Sequence, residues 1–162
     1  MLGAAIFFGA TALAADLPKE GTFNGTFYGV TISTSKVTSV GKERGLLVFE
    51  NNGMTVGAGL VDHLGWHCLG TEDITGGMAE WSAYCLGADL SGDQAALDAA
   101  RDERHPVEAK SYKYSGKCTT GTGKYAGISG PYNGECQENA FRPPVEGAAL
   151  FSCTARGDHK LP

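Results

Sequence analysis

Three kinds of side chain in this sequence could do chemistry beyond packing: five cysteines, four histidines and a scatter of carboxylates. The histidines, His63, His67, His105 and His159, include one i, i+4 pair. On a helix that spacing lets two imidazoles share a metal ion, but along a strand it does not. With no C-x-x-C to supply thiolates, the histidines read as scattered exposed residues and no metal site is predicted. Asp89-x-Ser91-Gly92-Asp93 has the oxygens and glycine of a calcium loop, yet Ala100 stands where an EF-hand needs its bidentate glutamate. A turn in which Asp and Ser bond their own backbone explains the same composition. Gly121-x-Gly123-Lys124 lacks the spacing of a phosphate loop, and no G-x-S-x-G elbow marks a hydrolase. Glu50, Glu72 and Glu80 could serve in acid–base catalysis wherever a fold interior desolvates one of them. No cofactor is implied.

The cysteines speak more sharply. A two-residue hairpin turn at Gly76-Gly77 sets residue 68 directly opposite residue 85, and both are cysteines. Counting out from the Thr75/Met78 pair makes this a non-hydrogen-bonded position, where Cα atoms lie roughly 4.5 Å apart, at the short end of the disulfide range. A cross-strand Cys68–Cys85 disulfide is therefore predicted. Cys136 and Cys153 lie symmetrically about a Pro143-Pro144 loop and are the preferred second pair, leaving Cys118 over; Cys118 with Cys136 is the alternative. An odd count leaves at least one thiol unpaired within the chain. Such staples suit an oxidising compartment.

The elements that must position these residues are short strands. The chain has 162 residues, 24 of them glycine, with 42% apolar and 19% charged residues, which fits one soluble all-β domain. Its net charge of -5 and the absence of a basic cluster beyond the mixed run at 101–105 argue against nucleic acid as a partner. Thr22 to Ile32 alternates, with Phe23, Gly25, Phe27, Gly29 and Thr31 on one face. Arg44 to Asn51 reads as a strand closed by a hairpin turn at Asn52-Gly53. Trp66 shares the face of Cys68, and Trp81 and Ala83 share the face of Cys85, while His67, Leu69, Tyr84 and Leu86 line the other side. Gln94 to Arg104, with Asp93 as N-cap and Pro106 beyond, has the local propensity of a short surface helix. Val107 to Gly116 alternates again, placing Tyr112 and Tyr114 together.

At the N-terminus, MLGAAIFFGATALAADLPKE is an apolar run whose Ala12-Leu13-Ala14 satisfies the small-x-small rule of signal-peptide cleavage. The expected division is a signal peptide over 1–15 and a single barrel domain over 16–162, exported to the periplasm or medium. The run is short for a transmembrane helix and no lipobox cysteine follows it, so no membrane anchor is expected.

Lys117 to Gln137, KCTTGTGKYAGISGPYNGECQ, is a glycine-jointed return between strands. It resembles the GTGKYAGITG turn-and-strand of the allene-oxide-cyclase-like barrel proteins, a calycin-related group of secreted bacterial and plant β-barrels. Tyr84, Cys85, Asp89, Gly92 and Asp93 match, in order, the family's YC-x-x-x-D-x-x-G-D segment. The resemblance spans about Trp66 to Arg156, rests mainly on structural glycines, and would put a strand where local propensity puts the 94–104 helix. It implies a closed antiparallel barrel of about eight strands, wide enough to be filled or to hold one small ligand. Similar plant barrels cyclise an unsaturated fatty epoxide or orient a phenoxy radical coupling, but no catalytic residue carries over to this chain. Three roles are compatible with that frame. The first is binding of a small apolar or amphipathic ligand, with Trp66, Trp81, Tyr84, Phe23 and Phe27 as candidate lining. The second is an isomerase or cyclase using one buried carboxylate, and the third a solid-core interaction barrel. No sequence feature sets an oligomeric state.

Overall fold

The computed structural model describes residues 17–33, 37–138 and 148–162. The segment expected to be a signal peptide and the Pro143-Pro144 loop lie outside them. The strands are β1 (Glu20–Ser33), β2 (Thr38–Ser39), β3 (Arg44–Ala58), β4 (Gly65–Thr75), β5 (Met78–Ala88), β6 (Gln94–Asp102), β7 (His105–Pro106), β8 (Ser111–Gly121), β9 (Gly130–Glu138) and β10 (Ala148–Lys160). Eight long strands form a closed antiparallel barrel in the order β1-β10-β9-β8-β6-β5-β4-β3, and β3 returns to pair with β1. The two-residue β2 and β7 add to β3 and β5 at one rim.

The Gly76-Gly77 hairpin forms as its sequence predicts. Both glycines have positive φ, 59° and 75°, as a tight primed turn requires. The register runs from Thr75↔Met78 to Cys68↔Cys85, and the two cysteines are disulfide-bonded with Cα atoms 4.0 Å apart. Cys136 and Cys153 face each other on β9 and β10 and are bonded too, leaving Cys118 as a buried free thiol. Two strands separate the two staples in either direction around the wall, so they brace opposite sides of the barrel.

Two local expectations give way to tertiary pairing. Asn52-Gly53 is no turn: β3 passes straight through it, with Asn52 opposite His67 on one side and Val30 on the other. Gly53 is needed for close approach instead, because a Cβ there would lie 2.2 Å from the Tyr28 carbonyl oxygen on the neighbouring strand. Gln94–Asp102 is a strand and not a surface helix, because β5 and β8 offer it ladders on both edges and the alanines do not resist extension. The ladders of β6 slip by a β-bulge, between residues 83 and 85 of β5 and between 98 and 101 of β6 itself.

One end of the barrel is plugged. Short 3-10 turns at Gly59–Val61 and Gly123–Tyr125 fold under it, and Leu60, Leu64, Tyr125 and Ile128 pack there with Phe23 and Trp66. Leu64 and Ile128 are fully buried. The two segments that carry the family resemblance meet here. The Asp89 carboxylate accepts hydrogen bonds from Ser91 N–H and Oγ–H and from Asp93 N–H, and the Lys124 ammonium closes on it. Asp93 in turn accepts from the Lys124 N–H. The calcium-like motif is thus a turn tied to the glycine-rich return.

Candidate functional site

Above the plug the barrel encloses a cavity of about 290 Å³. Period-two alternation sets its wall, and on β5 the residues that line it are Trp81, Ala83 and Cys85. Trp81 is the hub, with ring centroids 6.3 Å from Phe49, 6.3 Å from Tyr112 and 6.0 Å from Tyr114. Phe27 and Phe151 face the same space 5.3 Å from each other. Both disulfides lie in the wall.

Four of the five predicted lining residues are in place: Phe23, Phe27, Trp66 and Trp81 all line the cavity. Tyr84 does not. It is 66% exposed on the outer face, because its neighbour Cys85 points inward and adjacent strand residues cannot share a face. Trp66 is anchored by its indole N–H, which donates to Thr55 Oγ1 at 2.6 Å in a buried bond. The Trp81 Nε1 donor and the Asn51 Oδ1 acceptor, both on lining residues, have no hydrogen-bond partner among the described residues.

At the rim opposite the plug, Glu72, His105 and Glu138 join the lining. Burial raises the Glu72 carboxyl above its ordinary range, an effect opposed by the nearby His105. Burial likewise raises the phenols of Tyr112 and Tyr114. Behind the rim stands Asp102, whose side chain has no exposed surface. Its Oδ1 accepts from the Trp81 backbone N–H at 2.6 Å, and its Oδ2 lies 2.7 Å from His105 Nδ1. The His105 ring stacks on Tyr112, with centroids 4.4 Å apart and planes 13° from parallel. Desolvation raises the Asp102 carboxyl, partly countered by the Trp81 N–H and by His105.

The histidines are therefore not uniformly exposed. The side chain of His105 is 13% exposed, and His159 is buried with Nε2 against the Pro18 carbonyl. Among the described residues, no cluster of three or more His, Cys, Asp or Glu side chains is placed to hold a metal ion. Burial pushes the Cys118 thiol up to about 11, which keeps it protonated and unreactive. Of the three carboxylates singled out in the sequence, Glu72 alone lines the cavity. Sequence reasoning missed Asp102, Asn51, Phe49 and Phe151 altogether, although the paired alternation of Tyr112 and Tyr114 pointed to the same wall.

No protein-family model matches the chain, and neither does any curated protein. Among solved structures it is similar to a pterocarpan synthase dirigent protein, with a TM-score of 0.52 and 10% identity over 90% of this chain and 88% of that one. At that identity the likeness is one of fold: the chain shares the β-barrel architecture of a dirigent protein.

Proposed function

We propose that this chain is an exported barrel of the allene-oxide-cyclase-like group that binds one small, mainly apolar ligand in its interior. One observation carries the reading. The cavity is walled by aromatic rings and disulfides, yet among its lining groups Trp81 Nε1 and Asn51 Oδ1 are left without a partner among the described residues. Buried donors and acceptors are ordinarily satisfied, and a pocket of apolar surface with a few placed polar groups is the usual form of a small-molecule site. Two disulfides in so small a domain support an oxidising, extracytoplasmic setting. The fold likeness to a dirigent protein agrees with the closed-barrel frame of this reading. Phe23, Phe27, Trp66 and Trp81 are the proposed contacts.

Native mass spectrometry of the protein purified from its producing cells tests this directly. A co-purifying adduct that is lost when the cavity mouth is blocked by Ala149→Trp supports the reading. Retention of the adduct by that variant, or failure of a panel of apolar aromatics to quench Trp81 fluorescence, overturns it.

A further inference from the structure

We propose that His105 is a general base, positioned by Asp102, that removes a proton from a carbon or oxygen acid held in the cavity. The inference rests on the ligand-binding reading above and adds an activity to it. The argument starts from the two neighbours of one nitrogen. His105 Nδ1 lies 2.7 Å from Asp102 Oδ2 and 3.2 Å from the Glu103 carbonyl oxygen. The Glu103 carbonyl can only accept, so the Nδ1 that bonds it carries the hydrogen, with Asp102 Oδ2 beside it as a charge contact, and a neutral ring then has its lone pair on Nε2.

The partner carboxylate is committed to this arrangement. Its Oδ1 accepts from the Trp81 N–H, while Oδ2 takes no hydrogen bond among the described residues and meets the imidazole as a close charge contact at 2.7 Å. A buried carboxylate beside Nδ1 holds the ring in one tautomer and stabilises the imidazolium that proton uptake creates. Stacking on Tyr112 fixes the plane of the ring, and the ring forms part of the cavity wall. The β-bulge in β6 is what makes the pairing available. Uninterrupted alternation from the inward-facing Ala95 and Leu97 would turn Asp102 outward; the slip shifts the phase by one residue and buries it opposite Tyr114.

The chemistry balances without a co-reactant. A C–H or O–H proton of the ligand moves to Nε2, and the bonding pair stays on the ligand as an enolate or phenolate. Return of the proton to another atom gives an isomer of the same composition. The other titratable groups around the dyad are Glu72 on β4, Glu80 and Trp81's own strand β5, Tyr112 on β8 and Glu138 on β9, the last with Lys110 beside it at 3.7 Å.

The probe is 5-nitrobenzisoxazole, a flat apolar molecule. A base takes its ring C–H proton, the freed pair forms the nitrile, the N–O bond breaks, and the product is a coloured phenolate. The wild-type protein is expected to turn it over saturably, faster than free imidazole at equal concentration. His105→Gln should lower that rate by about 100-fold or more. Asp102→Asn should lower it by about 10-fold and displace the acid limb of the pH–rate profile, which a merely structural aspartate would not do. ¹⁵N NMR of the unmutated protein at pH 8 gives an independent reading, with His105 expected as the Nδ1–H tautomer. Binding of the probe is followed separately by saturation-transfer NMR. Binding without turnover above imidazole, an unchanged rate in His105→Gln, or an Nε2–H tautomer overturns the dyad and leaves the binding reading standing. Failure of the probe to bind overturns both.

Discussion

The two ends of this barrel are built on different terms. At the plugged end, Asp89, Asp93 and Lys124 satisfy one another and the turn backbone, and Leu64 and Ile128 are packed with no exposed surface. At the rim, beside His105, Glu72 and Asp102 are placed where burial works against their charges, and the cavity below them keeps polar atoms without partners among the described residues. One end spends its polar groups on the fold, and the other leaves them available. That division is the physical form of the contrast between a scaffold and a site.

The sharpest way to break the comparison is at the plug. Leu64→Ala should cost about 2–5 kcal/mol in denaturant unfolding, since it deletes a fully buried side chain from the core that closes the barrel. A similar loss from Leu47→Ala at the rim would abolish the distinction. Replacing Cys68 and Cys85 together by alanine should cost about 2–4 kcal/mol. Labelling of the denatured, unreduced protein should count one free thiol in the wild type and in that variant alike, because Cys118 is the one left over.

Thr55→Val strands the Trp66 indole N–H, and a loss of about 1–3 kcal/mol is expected in thermal unfolding. Lys124→Met is expected to cost about 1–2 kcal/mol at neutral pH. Its effect has a definite sign with pH. Burial alone would raise the Asp89 carboxyl, but Lys124 and then Ser91 outweigh it and hold the group well below the ordinary range. A depressed carboxyl stabilises the fold above its unfolded value and ceases to do so in acid, so the gap between wild type and variant should close as pH falls below about 4. Glu72→Gln should be the smallest change, below about 1 kcal/mol, and opposite in sign. A raised carboxyl favours the fold while protonated and loses that contribution as pH rises, so glutamine should stabilise at neutral pH and do nothing in acid.

The same contrast explains what could be read in the chain. The Gly76-Gly77 hairpin, the Asp89 turn and the glycine-jointed return were legible because their backbone makes demands that few residues meet. Gly76-Gly77 fixes a turn, the turn fixes a register, and the register brings Cys68 to Cys85. Asn52-Gly53 shows the limit of that logic, since a glycine needed for close strand approach looks locally like one needed for a turn. Tyr84 shows another: its aromatic character invited a place in the lining that the phase of its own strand forbids. The rim was hidden for a third reason. Asp102 and His105 fall in a charged run with helical propensity, and a one-residue slip in β6 decides which way Asp102 points. No local pattern encodes that slip.

The pairing of β1 with β10 carries a consequence for how the molecule comes into being. Glu20 lies opposite Lys160, so the first strand of the barrel completes its ladder with the strand most distant from it along the chain. β1 can meet β3 early, since few residues separate them, but the circle stays an open sheet until β10 arrives. Until then the sheet presents two unpaired edges, and a variant lacking β10 would keep them for good.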